Sequence, residues 1–319
     1  MPSTHRRLVT LAGYAPAIPT PFGSDGAIDA PAFQSFCDRQ IRDGATALVV
    51  CGTTGEAPTL TTDEQVALIE MAVEATAGRV PVIAGAGSGS TSHAVDLTRD
   101  AEAAGADAIL SVVPYYNKPT QAGLLAHFTA IANSTGLPIV LYDVPSRTVV
   151  GLADETIARL AERRSFIGLK DATGDLGRPA RLRSLVGLDF KLLSGDDVTA
   201  PGFLAAGGNG CISVTSNVAP RACRQIFLAF DRGQTHEAGR QISDMAKLTA
   251  TLFLETNPAP VKYALSLLGL MSPVVRLPLV EPTDATKVKI STVLAEMYEG
   301  TSDRDTADAG RDAAQQIAL

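Results

Sequence analysis

One lysine of the sequence stands where an amine could do covalent chemistry. Lys170 follows the apolar residues Phe166-Ile167-Gly168-Leu169, so a strand would carry its amine to the rim of a sheet. Desolvation in such surroundings disfavours the charged ammonium, and a neutral amine attacks carbonyl groups to form a Schiff base. A lysine at a strand end can also lie along the surface with its ammonium in water, so Lys170 alone does not decide between the two interpretations.

Two hydroxyl-bearing residues favour the covalent interpretation. Tyr142 ends the apolar run before that of Lys170, and a phenol on the same rim could move protons during Schiff-base formation. Thr53 lies in Gly52-Thr53-Thr54-Gly55, where its hydroxyl could extend a relay and the N–H groups of the turn could face a small carboxylate. The alternative for this turn is an ordinary connection whose hydroxyls bond nearby backbone.

The loop after Tyr142 carries a candidate carboxylate ligand. Arg147 follows Val144-Pro145-Ser146, and a guanidinium on a proline-stiffened loop can grip a carboxylate with two hydrogen bonds. A surface salt bridge is the alternative. Tyr115-Tyr116 stands between Pro114 and Pro119, and such aromatic pairs more often pack at interfaces than take part in chemistry.

No metal or cofactor site is predicted. The four histidines (His5, His93, His127 and His236) are scattered, and the sequence has none of the usual spacings of zinc ligands. The segment Gly85-Ala86-Gly87-Ser88-Gly89 lacks the third glycine of a dinucleotide-binding loop at the right spacing. We therefore interpret it as a flexible strand-to-helix turn.

Short apolar runs rich in Val, Ile and Leu recur along the chain, as expected for parallel strands that are buried on both faces. Segments with helical periodicity separate them, and predicted helices include 90–104, 121–133 and 154–163. The eight predicted strands cover residues 14–18, 46–50, 80–84, 108–113, 137–142, 166–170, 190–194 and 210–214.

Eight strand–helix units predict an α/β fold, a (β/α)₈ TIM barrel with a C-terminal helical extension. A doubly wound sheet is less consistent with the pattern, because it usually carries a dinucleotide loop. We expect the barrel over 13–220, a helical region over 221–299, a leader over 1–12 and a flexible tail over 300–319. Active residues of such barrels follow the C-terminal ends of strands, which is where Thr53, Lys170 and Gly195 occur.

The composition argues against several classes of protein. Hydrophobic residues make up 45% of the 319 residues and charged residues 19%, which is typical of a globular chain. The net charge of −7 without a basic block argues against nucleic-acid binding, and no apolar run is long enough to predict a membrane span. Four cysteines without a C-x-x-C pair are typical of a reduced chain, so we expect a cytoplasmic protein.

Five segments at the candidate strand ends and loops form a set. They are Gly52-Thr53-Thr54-Gly55-Glu56, Pro114-Tyr115-Tyr116-Asn117-Lys118-Pro119, Tyr142-Asp143-Val144-Pro145-Ser146-Arg147-Thr148, Gly168-Leu169-Lys170-Asp171-Ala172-Thr173-Gly174 and Glu255-Thr256-Asn257-Pro258. Together and in order, over about 13–297, they resemble the dihydrodipicolinate synthase family of pyruvate aldolases.

The resemblance implies an enzyme, a lyase of the class I aldolase type. Its implied reaction is the condensation of pyruvate with L-aspartate 4-semialdehyde in lysine and diaminopimelate biosynthesis. The implied enzyme has no cofactor and is a homotetramer, a dimer of dimers.

The resemblance also implies catalytic roles for four residues. Lys170 matches the lysine that forms the Schiff base with pyruvate, Tyr142 the proton shuttle and Thr53 its relay partner. Tyr116 matches a tyrosine that enters the site from a neighbouring subunit, so the site would be complete only in an oligomer.

Four further residues are expected to bind substrate. Thr54 matches a contact to the pyruvate carboxylate, and Arg147 the arginine that receives the carboxylate of the semialdehyde. The backbone of Ile212 matches the lining of the pyruvate pocket, and Gly195 is expected at the same site.

The sequence departs from the family pattern at two places. Asp143 stands where members often have asparagine, so we expect a changed charge near Arg147, which leaves the second substrate open. The positions that match the effector site of lysine-inhibited members read Thr62, Gln65, Gly89 and His93. We therefore predict weak or absent inhibition by L-lysine.

Two alternatives stay open. Another pyruvate-dependent aldolase, lyase or dehydratase of the same superfamily would share the lysine and the tyrosine, although Arg147 favours the semialdehyde. A non-catalytic barrel that only binds a small keto acid would not need Lys170, Tyr142 and Thr53 together.

Overall fold

The computed structural model of the protein describes the backbone of residues 11–299 and the side chains of residues 11–297. The tail expected over 300–319 and all but the last two residues of the leader expected over 1–12 lie outside the described residues. Leu11, at the start of the described chain, is buried against the barrel interior.

Eight parallel strands form a single sheet in the order β1-β8-β7-β6-β5-β4-β3-β2. A parallel bridge between Ala17 and Val49 joins the two edges of this sheet, so the strands make a nearly closed barrel. Each strand overlaps one predicted run, and the predicted TIM barrel is confirmed. The strands are β1 (Gly13–Pro16), β2 (Leu48–Val50), β3 (Val82–Gly85), β4 (Ala108–Val112), β5 (Ile139–Asp143), β6 (Phe166–Asp171), β7 (Lys191–Ser194) and β8 (Gly210–Ser213).

Helices follow the strands on the outside of the barrel. The second begins with a capping box, in which Thr61 accepts from the backbone of Glu64 and Glu64 bonds the backbone of Thr61. The helices before β8 are α1 (Ala30–Arg42), α2 (Thr62–Thr76), α3 (Thr91–Ala103), α4 (Gln121–Ser134), α5 (Pro145–Thr148), α6 (Asp154–Ala161), α7 (Arg178–Val186) and α8 (Ala200–Ala205).

Within the described residues, the helices after β8 are α9 (Thr215–Val218), α10 (Pro220–Asp231), α11 (Thr235–Thr251), α12 (Ala259–Leu267) and α13 (Asp284–Glu299). The α10 helix contacts β1, and α12 begins directly after Asn257-Pro258. None of the described helices is long and apolar enough to cross a bilayer.

The core has two layers because successive strand residues point to opposite faces. In β5, Val140 and Tyr142 belong to the cluster inside the barrel, whereas Ile139 and Leu141 pack in the cluster between strands and helices. Leu169 of β6 likewise faces the helices. Because of this alternation, the Tyr142 side chain points into the barrel, whereas those of Leu141 and Asp143 point toward the helices.

Candidate active site

Lys170 and Tyr142 meet at the C-terminal ends of two neighbouring strands. They are register partners in the β5–β6 pair, and the Nζ atom of Lys170 lies 4.2 Å from the centroid of the Tyr142 ring. Each residue is only 6% exposed. The amine is therefore withdrawn from bulk water and held against an aromatic face.

Gly195 leaves room for the lysine side chain. It follows β7, and its N–H donates to the carbonyl of Asp171 at 2.7 Å. A Cβ at this position would lie 3.0 Å from both Cγ and Cε of Lys170, which is closer than ordinary van der Waals contact. A glycine here therefore lets the lysine stem run along the end of β7.

The turn after β2 is fixed by contacts from distant parts of the chain. The hydroxyl of Thr54 accepts a hydrogen bond from Nδ2 of Asn257 at 3.0 Å, and Thr20 donates to the carbonyl of Gly55 at 2.7 Å. Glu56 ends the turn in the left-handed region with φ 57°, and its carboxylate is paired with Lys262. The turn that carries the two threonines is therefore held from both ends.

Arg147 lies on α5, whose first residue is a proline. Its Nη2 donates to the carbonyl of Asn257 at 3.4 Å, so Asn257 contacts both Arg147 and Thr54. Asn257 occurs in one of the five sequence motifs, but the sequence predicts no role for it. Only its contacts with residues 110 and 203 positions away reveal it as a link between the two.

One cavity of about 510 Å³ brings most of the predicted residues together. The C-terminal helical region contributes Phe253, Glu255, Thr256 and Asn257 to its wall, which the sequence did not predict. The predicted residues that line it are Thr53, Thr54, Tyr142, Arg147, Lys170, Gly195 and Ile212.

Tyr116 is the predicted residue outside that set. It lines an adjoining cavity of about 510 Å³, which shares Thr53, Tyr142 and Arg147 with the first. Its side chain is 91% exposed, and its φ of 71° is in the left-handed region. Within one chain, the Tyr116 ring is thus presented to solvent beside the site.

The adjoining cavity is lined by two of the four residues that match the effector site of lysine-inhibited family members. Gln65 and His93 line it, whereas Thr62 and Gly89 do not. No carboxylate occurs among its lining residues, all of which belong to the described part of the chain. A ligand ammonium would find no counter-charge in this wall.

The expectation that Asp143 changes the charge beside Arg147 is wrong. Tyr142 and Val144 line the site, but Asp143 between them faces the helices, is fully buried and accepts a hydrogen bond from Arg178 at 2.8 Å. Burial raises the pKa of its carboxyl, and the bond to Arg178 opposes that rise. An arginine on α7, not Arg147, balances this carboxylate.

The arrangement suits covalent capture of a small keto acid. A buried amine can add to a carbonyl, a neighbouring phenol can carry the proton, and hydroxyl and guanidinium groups on the same wall can hold carboxylates. No single one of these groups is specific to such chemistry, but the cavity brings all of them together.

Known proteins resemble this chain over most of its length. The model of the Dihydrodipicolinate synthetase family matches residues 10–297. The 4-hydroxy-tetrahydrodipicolinate synthase of Rhodospirillum centenum is 52% identical over 278 residues, which cover 87% of this chain and 95% of the relative.

Solved structures agree with the sequence comparisons. The 4-hydroxy-tetrahydrodipicolinate synthase of Methylacidiphilum fumariolicum superposes with a TM-score of 0.89 at 37% identity, covering 96% of this chain and 99% of that one. The dihydrodipicolinate synthase of Acinetobacter baumannii, solved with pyruvate, gives 0.88 at 40% identity and covers 90% and 99%. The chain belongs to the Dihydrodipicolinate synthetase family.

Proposed function

We propose that the protein is a 4-hydroxy-tetrahydrodipicolinate synthase, a lyase that joins pyruvate to L-aspartate 4-semialdehyde through an imine on Lys170. The observation that carries this proposal is the buried amine of Lys170, 4.2 Å from the centre of the Tyr142 ring, in a cavity that also contains Arg147. Family membership and the pyruvate bound by the Acinetobacter baumannii relative support the choice of keto acid.

The first half of the reaction captures pyruvate. The neutral amine of Lys170 adds to C2 of pyruvate to give a carbinolamine, which loses water to form an imine. Tyr142 supplies and removes the protons of this step, with Thr53 as its relay partner. Thr54, whose hydroxyl is oriented by Asn257, binds the pyruvate carboxylate together with the backbone of Ile212.

The second half forms the new carbon–carbon bond. The protonated imine nitrogen draws electrons from the methyl carbon, which loses a proton and becomes the enamine. This carbon attacks the aldehyde of the semialdehyde, whose carboxylate Arg147 binds with its fork of donors. The substrate amine then attacks the imine carbon and closes the ring, and Lys170 leaves as the free amine.

We also propose that the working enzyme is a cytoplasmic homotetramer. The exposed ring of Tyr116, held in a left-handed backbone conformation beside the site, supports a role across a subunit interface. All four cysteines are buried and unpaired, which is consistent with a reducing compartment.

Trapping with borohydride tests the proposal. The protein is incubated with pyruvate and sodium borohydride, which reduces the imine to a stable secondary amine, and the peptides are mapped by mass spectrometry. We expect one carboxyethyl group on Lys170 and none on Lys191, an internal control at the opposite end of the adjacent strand β7. The K170A variant should give no adduct.

A coupled assay with aspartate semialdehyde then tests the second substrate. Turnover with the semialdehyde, abolished in K170A and strongly reduced in R147A, is the expected result. An adduct on Lys170 without turnover of the semialdehyde would identify another pyruvate-dependent aldolase of the superfamily. Absence of the adduct in the wild type would refute the imine mechanism.

A further inference from the structure

A buried ionic cluster lies on the outer face of the strands that carry the reacting pair. Asp143 directly follows Tyr142 in β5, and Asp171 directly follows Lys170 in β6. Asp143 and Asp171 are register partners, as are Tyr142 and Lys170. One step along both strands therefore leads from the amine and phenol inside the barrel to two carboxylates outside it.

Arg178 joins these two carboxylates. Its Nη1 donates to Oδ2 of Asp143 at 2.8 Å and to Oδ2 of Asp171 at 3.3 Å, and the three side chains are at most 5% exposed. Its Nε donates to Asp154 at 2.9 Å, and its Nη2 donates to the carbonyl of Leu152. The guanidinium thus has partners on β5, on β6 and at the start of α6.

Asp171 connects this cluster to the wall of the cavity. Its Oδ1 accepts from the backbone N–H of Thr173 at 2.9 Å and from the Thr173 hydroxyl at 2.6 Å, and Thr173 lines the site. The carbonyl of Asp171 accepts from the N–H of Gly195 at 2.7 Å. Displacement of Asp171 would therefore move neighbours of the lysine on both sides.

Arg178 is needed at this place because like charges face each other across two strands. Buried carboxylates repel strongly when no counter-charge lies between them. Without the guanidinium, this repulsion would push the ends of β5 and β6 apart. That separation would reach Tyr142 and Lys170, one residue away on the same strands.

We propose that Arg178 is a positioning residue for the reaction: by joining Asp143 to Asp171 on the outer face, it holds the amine of Lys170 against Tyr142 on the inner face. The inference rests on the proposed function, since the pair that it positions is the reacting pair. Arg178 itself is not among the residues that line the cavity.

The test compares R178K with R181K. Lysine at 178 keeps the positive charge but offers one nitrogen, which cannot serve both strands and Asp154 as the guanidinium does. Misplacing reacting groups by 1 Å costs on the order of 100-fold in rate, so we expect kcat and the rate of borohydride trapping on Lys170 to fall at least tenfold. The KM for the semialdehyde should stay within about threefold of the wild type, since Arg147 is unchanged.

Arg181 provides the matched control on the same helix. It pairs with Asp154 and Asp175 at 3.1 and 2.7 Å, but its side chain is 52% exposed. R181K should therefore react like the wild type.

The outcomes separate this inference from the proposed function. If the wild type forms no adduct on Lys170, both fail. If the wild type is trapped and R178K is trapped at the same rate with the same kcat, the positioning role alone is refuted. Failure of R178K to fold, measured by circular dichroism, would assign Arg178 to stability and would equally overturn the positioning role.

Discussion

Removal of the buried ammonium of Lys262 should destabilise the protein strongly. Its Nζ lies 2.7 Å from Oε1 of Glu56 and donates to the carbonyl of Thr20 at 2.8 Å, and neither ionic side chain is exposed. Burial lowers the pKa of Lys262, and the attraction of Glu56 opposes that change. The K262M variant keeps the length of the stem and removes the charge.

The expected loss in the free energy of unfolding depends on which partners the Glu56 carboxylate keeps. In K262M its carboxylate keeps the backbone N–H of Arg276, 2.9 Å from Oε2, and a longer-range attraction to the Arg276 guanidinium, but has lost its ion-pair partner. Removing one partner of a buried ion pair costs about 3–5 kcal/mol, which is a large share of a typical domain stability of about 5–15 kcal/mol. The double variant K262M/E56Q has no buried charge at the pair, and we expect it to lie within about 2 kcal/mol of the wild type.

Urea unfolding of the wild type, both single variants and the double variant gives the coupling free energy of the pair. K247M is the control, because Lys247 and Glu296 pair at 2.9 Å with side chains 73% and 52% exposed, and exposed pairs contribute about 0–1 kcal/mol. A loss in K262M no larger than about 1 kcal/mol would refute the reasoning. So would a double variant that is no more stable than K262M.

Three further predictions concern the lysine stem, the pH dependence of stability and inhibition. G195A should lower kcat about tenfold, because its Cβ would crowd Lys170 and overpacking costs about 1–3 kcal/mol. The control is G239A, because a Cβ added at Gly239 meets nothing within 4 Å. Equal kcat values for G195A and G239A in steady-state kinetics would contradict the prediction. Burial lowers the pKa of His127 from 6.5 to about 4. Between these two pH values, His127 is protonated in the unfolded chain but not in the folded chain. Stability should therefore fall as the pH falls from 6.5 to 4, and less steeply in H127Q; equal slopes in urea titrations would argue against it. L-lysine should inhibit weakly or not at all, because the cavity lined by Gln65 and His93 has no carboxylate for its ammonium, and inhibition at sub-millimolar lysine in the coupled assay would overturn this.

The barrel was predictable because strands buried on both faces carry a strong local signal. The run 166–170 contains most of β6, and 108–113 contains all of β4, since a parallel strand covered by helices must be apolar along its length. Strand ends were less accurate. Residues 46–47 were predicted in β2, but the strand begins at Leu48, because pairing with β3, and not composition, decides where a strand starts.

The site was predictable to the extent that it follows strand ends. Tyr142 and Lys170 lie near the ends of their strands, Gly195 directly follows β7, and Thr53 lies in the turn after β2. The barrel brings such positions to one rim. This rule could not identify Asn257, because that residue lies in the segment before α12 and not after a barrel strand. Its position depends on how the C-terminal helices pack on the barrel, which no local pattern in the sequence specifies.

The buried ion pairs of the described chain are confined to the surroundings of the cavity. Pairs with both side chains at most 5% exposed are those of Arg178 with Asp143 and Asp171, and that of Lys262 with Glu56. Apolar packing would stabilise such places at least as well, because the desolvation of two charges offsets much of their attraction. The charged groups instead fix relative positions. A guanidinium or ammonium that donates to several acceptors holds together the strands and turns that carry those acceptors.

Stability and activity should therefore separate in the K262M/E56Q variant. The neutral pair removes the uncompensated charge, so the free energy of unfolding should recover from that of K262M. The neutral pair also lacks the charge-assisted bond that fixes the end of the turn carrying Thr54, so kcat should stay well below that of the wild type. Recovery of both quantities together would mean that the buried charges serve the fold alone, and that the turn finds its position without them.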